Sequence, residues 1–300
     1  MKIKTLLFGA GEGCKKFIEN EKETRIFLAI IDNDTSREGE NFDGINIIST
    51  KNIQKYDFDE IVITTQWAQQ VKQQLINDLK VDSSKVYVPL KGALKKPQPF
   101  MDKSTHDLAI NILTLLCKNA NTDKINLIID FGTLLGIVRD KTIMPWDDDI
   151  DFAVHVKDAD KIEHWLVDVV SKNIFPVKLN IEKRLDKNNN LVALLLSFES
   201  DIYNSFSTSI SFREDINGNS IHLPSLGLWY AESKHFLKYE EIIWNDIVVK
   251  APYEYKQYLE FVYGDWQTPK KFINMTDYNN LGNVEFDKFK EAGLKSEKIK

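Results

Sequence analysis

Four carboxylates fall within five positions of this chain: Asp147, Asp148, Asp149 and Asp151, in the run Pro145-Trp146-Asp147-Asp148-Asp149-Ile150-Asp151-Phe152-Ala153. Burying that much like charge is unfavourable unless a cation neutralises it. In a strand, alternation puts Asp149 and Asp151 on one face, and Asp147 shares that parity if the strand begins there. Pro145 keeps the entry extended. Hard oxygen ligands at this spacing suit Mg²⁺ or Mn²⁺, and two such ions about 3.5–4 Å apart can flank a transferring phosphoryl group. Upstream lies Asp130-Phe131-Gly132-Thr133-Leu134-Leu135-Gly136-Ile137-Val138-Arg139, which reads as a glycine turn. There Gly132 and Gly136 would let the backbone approach phosphate oxygens. Thr133 would add a hydroxyl donor, and Arg139 and Lys141 would supply cations, the arginine with bidentate geometry. The competing reading is a solvated acidic turn. Trp146 and the apolar Ile150, Phe152 and Val154 weigh against it, so the expectation is a divalent-metal site facing a phosphorylated substrate.

The elements that must position these residues follow from periodicity. Leu127–Ile129 is expected to be a strand leading into the glycines, and Asp149–His155 the strand carrying the carboxylates. Leu191–Phe198 and Ser207–Phe212 should join the same sheet. Helices are expected over Asp107–Asn119, Asp158–Val170 and Tyr253–Tyr263. Earlier in the chain, strands at Ile3–Phe8, Phe27–Ile31, Ile45–Ile47, Ile61–Thr64 and Val86–Val88 alternate with helices at Gly13–Asn20 and Gln66–Leu79. That alternation predicts a parallel, Rossmann-like sheet. Lys95-Lys96-Pro97-Gln98-Pro99 reads as a linker. The division expected is residues 1–94, a linker at 95–104, a second domain at 105–283, and a lysine-rich, partly helical tail at 284–300.

The chain of 300 residues suffices for two ordinary domains. A formal net charge of -6 argues against a general nucleic-acid binder. With only two cysteines, Cys14 and Cys117, a disulfide framework is not expected and a reducing cytoplasm is the better fit. No apolar run reaches the roughly 18–20 residues that span a bilayer. The start, Met1 to Gly9, reads as a first strand and not a signal peptide.

Gly9-Ala10-Gly11-Glu12-Gly13 follows a strand and opens a helix, and Asp32 ends the next strand. This approximates the dinucleotide fingerprint, in which the helix N-terminus meets pyrophosphate and the acid meets ribose. Cys14 stands where the last glycine would be. Nucleotide or nucleotide-sugar binding through Gly9, Gly11, Gly13 and Asp32 and a purely structural Rossmann-like unit are both open. With Ile31-Asp32-Asn33-Asp34 and Phe42-Asp43-Gly44-Ile45, the segment is similar to the N-terminal domain of PglD-like sugar acyltransferases.

Gly132-Thr133-Leu134-Leu135-Gly136 together with Pro145-Trp146-Asp147-Asp148-Asp149-Ile150-Asp151 resembles the signature of the LicD family. That family includes phosphocholine transferases of bacterial surface glycans and fukutin-related ribitol-phosphate transferases. Phe236, Ala251-Pro252, Tyr258-Leu259, Tyr263-Gly264-Asp265-Trp266 and Pro269 resemble its C-terminal segment. The resemblance implies an α/β (α+β) nucleotidyltransferase-like fold behind the Rossmann-like unit. It implies Asp149 and Asp151 as ligands of Mg²⁺ (or Mn²⁺), with Gly132 and Thr133 cradling the diphosphate of a CDP-linked donor. The acceptor would be a hydroxyl of a glycan or lipid-linked saccharide, at a cytoplasmic location open to peripheral association with the inner membrane face. Two alternatives stay open: a nucleotidyltransferase releasing pyrophosphate, and a nucleotide-sugar-binding protein that has lost catalysis. Two departures stand out. Ser209 falls where the family tends to have a third carboxylate; Glu199, Asp201, Glu214 or Asp215 would substitute in another register, or Asp147 or Asp148 would act as base. Trp244-Asn245 stands where an aromatic-glycine pair is commoner.

Overall fold

The computed structural model describes residues 2–94, 98–172, 174–270, 274–278, 281–282 and 294–299. Its architecture is mixed α/β, in two compact units: residues 1–96 with 270–279, and 97–269 with 280–300.

The first unit is built on β1 (Ile3–Phe8), β2 (Arg25–Asp32), β3 (Asn41–Phe42), β4 (Ile45–Ser49), β5 (Glu60–Ile63) and β6 (Val86–Tyr87), in the order β3-β4-β2-β1-β5-β6. All pairings are parallel except the short β3–β4 hairpin. α1 (Glu12–Glu21) crosses from β1 to β2, turning its Cys14 and Phe17 onto a core of Leu7, Ile30, Ile47 and Val62. The helix expected over Gln66–Leu79 is shorter and irregular. α2 spans Ala68–Gln73 and continues as a single π-helical turn over Gln74–Asp78.

The second unit opens with α3 (Lys103–Thr122), capped by Asp102, whose carboxylate accepts from the Thr105 N–H at 2.8 Å. Its strands are β7 (Ile128–Ile129), β8 (Asp149–His155), β9 (Leu179–Leu185), β10 (Leu191–Phe198), β11 (Ser207–Ile216), β12 (Asn219–His222), β13 (Tyr230–Glu232), β14 (Tyr239–Trp244), β15 (Ile247–Pro252) and β16 (Lys295–Lys298). The sheet runs β14-β15-β7-β8-β11-β10-β9-β16, with β12 and β13 branching from β11. The helices are α4 (Phe131–Arg139), α5 (Ala159–Lys172), α6 (Lys234–Leu237) and α7 (Tyr255–Tyr263). Opposite the carboxylate face of β8, Ile150, Phe152 and Val154 join Ile210, Phe212, Leu194 and Leu196 in one core. Leu108, Ile112 and Leu116 of α3 and Ile162, Leu166 and Val169 of α5 belong to the same core.

Two expectations are corrected. The segment read as a glycine turn is helix: Gly132 and Gly136 lie inside α4. The low helix propensity of glycine is overridden by the Asp130 cap and by the buried Leu134, Leu135 and Ile137. In the tail, residues 284–293 lie outside those described, as do Lys95, Lys96 and Pro97 of the linker. Lys295–Lys298 is a strand, held on the edge of β9 by the backbone ladder with every residue exposed. Tyr253 precedes α7 and is not part of it. The β14–β15 hairpin was not anticipated. It turns through Asn245 (φ 48°) and Asp246 (φ 60°), both left-handed, the geometry of a two-residue hairpin loop. This gives Asn245 a reason to stand where a glycine is commoner. Trp244 at its tip donates Nε1–H to the Lys141 carbonyl at 2.8 Å, tying the hairpin to the loop after α4.

Candidate functional site

The site forms where β8 and β11 run side by side. They pair in parallel, with Asp149 opposite Ser207 and Asp151 opposite Ser209. Ser209 donates its hydroxyl to Asp151 Oδ1 at 2.8 Å. The residue beside Asp151 on the neighbouring strand is therefore a serine, and the substitute acids do not take its place. Glu214 has opposite parity and is exposed. Glu199 and Asp201 are exposed after β10, and Asp215 Oδ2 lies 3.1 Å from His155 Nε2. His155 Nδ1 accepts the Lys157 N–H, so Nε2–H is the donor to Asp215 Oδ2.

Asp147, Asp148 and Asp149 each bring a carboxylate oxygen within 4.8 Å of the others. Asp151 lies outside that threefold group, held by Ser209. Asp149, one of the two expected ligands, belongs to this consecutive triplet, and Asp151, the other, follows it two residues on along β8. Such a donor set, all carboxylate oxygen and partly shielded from water, fits a hard divalent cation.

α4 seals one side of the acids. Thr133, fully buried, accepts the Asp151 N–H on Oγ1 at 2.9 Å, so its oxygen fixes the strand backbone. A Cβ on Gly132 would lie 2.1 Å from Asp147 Oδ2: the carboxylate occupies the space a side chain would fill, and any larger residue here would turn it aside. Gly136 faces its own chain, and a Cβ there would meet the Thr142 carbonyl at 2.6 Å and the Met144 nitrogen at 3.1 Å. Its role in the fold is close packing of α4 on the loop that delivers Pro145. Gly136→Ala is expected to destabilise by about 1–3 kcal/mol through overpacking against backbone that cannot step aside, read as a lower urea midpoint. Arg139, expected on phosphate, directs Nε and Nη2 to Asp140 at 2.9 and 2.7 Å and stacks over Trp146. Lys141 donates to the Val138 carbonyl at 3.0 Å.

The sequence reading missed the residues beneath. Asp130, Arg213 and Tyr258 are each no more than 1% exposed. Asp130 caps α4, its Oδ1 accepting the Phe131 N–H at 2.8 Å and the Tyr258 hydroxyl at 2.5 Å. Arg213 brings Nη2 and Nε to Oδ2 at 2.7 and 3.2 Å, and its guanidinium lies 4.0 Å from the Phe236 ring centre. Burial alone would lower the Arg213 pKa; the Asp130 charge, with Tyr258 and Asp151 adding to it, raises it instead. Burial, then Asp130, push the Tyr258 phenol well above its ordinary value, so it serves as a donor. Burial, then Arg213, hold His222 well below its own, so it is neutral. A signal existed in β11: Ser207, Ser209, Ser211 and Arg213 share one parity, a stripe of small polar side chains ending in a long one.

In the first unit, Gly9 turns at φ +100°, and Gly13 lets α1 approach β5, a Cβ there falling 2.6 Å from the Thr64 carbonyl. Gly11 caps α1 with open space around it. Asp32 is engaged: its Oδ2 takes Arg37 Nη1 at 3.0 Å and the Ala10 N–H at 3.4 Å. Both cysteines are free and buried, and burial pushes each thiol up to about 12.

Residues 124–252 match the family model LicD/FKTN/FKRP, nucleotidyltransferase domain. The chain carries a LicD-family domain. A second family model, C2185-like, N-terminal, matches residues 1–87. The LicD domain thus contains the whole carboxylate run, α4 and Arg213, while Tyr258 lies just beyond the matched span. Its family points to phosphotransfer onto glycans, with a nucleotide-linked donor. No curated protein matches the chain. Similar solved structures include UDP-D-quinovosamine 4-dehydrogenase from Vibrio fischeri, at 23% identity over 29% of this chain and 75% of that one, TM-score 0.23. An oxidoreductase from Thermotoga maritima is 9% identical over 92% of each chain, TM-score 0.24. The Rex-family repressor RSP, in complex with β-NADH, is 13% identical over 41% of this chain and 62% of its own, TM-score 0.23. Scores of this size carry no weight for fold or function. No helix among the described residues is long and apolar enough to cross a membrane.

Proposed function

We propose that the LicD domain, residues 105–283, transfers a phospho-substituent such as phosphocholine or ribitol phosphate from a CDP-linked donor to a glycan hydroxyl. The acceptor belongs to a surface polysaccharide or a lipid-linked saccharide. The observation that carries this reading is the convergence of Asp147, Asp148 and Asp149 within 4.8 Å of one another, with Asp147 against Gly132 and Asp151 next along the strand. Asp149 and Asp151, with Asp147 and Asp148, are the residues that would hold Mg²⁺ or Mn²⁺. That ion would supply Lewis-acid neutralisation of charge on the leaving nucleotide. The first turn of α4, at Gly132, would face the donor diphosphate with the positive end of a helix dipole, with Thr133 behind it holding the β8 backbone. The acceptor oxygen bonds to the distal phosphorus as the bond from that phosphorus to the CMP oxygen breaks. The hydroxyl proton leaves to a carboxylate of the cluster or to water. Because the transition state is loose, positioning and electrostatics dominate. A reducing, cytoplasmic setting belongs to the same reading, supported by the two free thiols.

The released product tests it. With Mg²⁺ and an acceptor glycan, a panel of CDP-choline, CDP-ribitol and CDP-glycerol should yield CMP from one donor. Pyrophosphate release from a nucleoside triphosphate would instead favour nucleotidyl transfer.

A second reading rests on Ser209, a poor base and weak metal ligand where a third carboxylate is common. It makes the protein a sensor that binds nucleotide-sugars through Gly9, Gly11, Gly13 and Asp32. Here Asp32 would have to exchange Arg37 for a ribose. Calorimetry with UDP- and CDP-sugars, with and without Mg²⁺, separates the two: binding without a metal effect favours the sensor.

A further inference from the structure

We infer that Arg213 and Tyr258 are positioning residues that fix the acidic site through Asp130. A buried ion pair is a weak device for stability, since apolar replacements of similar volume are often as good. What this one does is geometric. Asp130 touches both walls of the site: its N–H donates to the Asp151 carbonyl at 3.0 Å, and its carboxylate caps the helix that carries Gly132 and Thr133. Ala153 and Ser211, small side chains on the faces of β8 and β11 that carry Asp151 and Ser209, leave room for Arg213 to reach back along the sheet to Asp130. Phe131, next in sequence, is held at φ 42°, a left-handed conformation that a bulky residue keeps only when its surroundings over-determine it. Its ring is boxed in by the Arg213 guanidinium at 5.4 Å, His222 at 5.4 Å and Trp229 at 5.6 Å. That turn presents the bare Cα of Gly132 to Asp147 Oδ2. The path therefore runs from Arg213 and Tyr258 to Asp130, through Phe131 and Gly132, to the Asp147 carboxylate.

The inference concerns site geometry and rests on the proposed function only in treating that site as the functional one. Tyr258→Phe removes one hydroxyl and keeps the ring packed on Phe236. Arg213→Lys keeps the charge but loses the fork that reaches Asp130, Tyr258 and Ser220 together. In the full chain, hydrogen exchange should speed up about tenfold across residues 130–149 in both variants and stay unchanged in β10. Mn²⁺ affinity, read by electron paramagnetic resonance on the folded protein, should fall about tenfold. In the transfer assay, kcat should drop with the donor KM unchanged. Exchange that is unaltered, or raised evenly through the unit, overturns the inference. A wild-type protein that binds no Mn²⁺ would count against the metal reading alone, and the exchange pattern would still decide this one.

Discussion

Replacing Asp149 and Asp151 together by asparagine should abolish metal-dependent release of the nucleotide, by about a thousandfold or more, and leave the fold intact. Several kcal/mol of transition-state charge stabilisation are attributed to a bound divalent ion, and about 4 kcal/mol corresponds to a thousandfold in rate. Asparagine is close in shape to aspartate and keeps an acceptor oxygen for Ser209, so the local hydrogen bond survives. In metal-free buffer the double variant should melt at the same temperature or higher, because carboxylates gathered within 4.8 Å in Asp147–Asp149 repel one another. Added Mg²⁺ or Mn²⁺ should raise the wild-type Tm by mass action and leave the variant unmoved. Product release and a melting curve with and without metal check both halves. Undiminished turnover would remove these two carboxylates from the chemistry.

The largest stability effect is expected beneath the site. Arg213→Ala should cost about 3–5 kcal/mol, the usual penalty for stranding one partner of a buried ion pair. Asp130, 1% exposed, would be left with only the Phe131 N–H and the Tyr258 hydroxyl as donors. Against a typical total of about 5–15 kcal/mol, such a loss is between about a fifth and the whole of the unit's stability. Arg213→Met combined with Asp130→Asn should recover most of it, since the asparagine still caps α4 and no charge is left unpaired. Urea denaturation of the wild type and both variants gives the comparison. A penalty below about 1 kcal/mol for Arg213→Ala would mean that water reaches Asp130 when the arginine leaves.

The chain's own order determined what depends on neighbours within a few residues. Alternation in Asp149–His155 put Asp149 and Asp151 on one face and Ile150 and Phe152 on the other, because side chains in a strand point to opposite faces in turn. The strand-helix rhythm of the first 90 residues announced a parallel sheet for the same local reason. At Gly132 and Gly136 composition speaks for a turn, whereas the buried face of α4 and the Asp130 cap decide for helix. Tertiary structure alone decided which distant residues meet. Arg213 and Tyr258 lie 83 and 128 positions from Asp130, and no periodicity links them. Their meeting depends on the register of β11 against β8 and on α7 packing behind the sheet. The same register set Ser209 beside Asp151, and the packing of α4 set Gly132 against Asp147. Sequence spacing could name the acids; only the close approach of α4 to the β8 entry placed the bare Cα of Gly132 against one of them, Asp147, because that carboxylate fills the space of the missing Cβ.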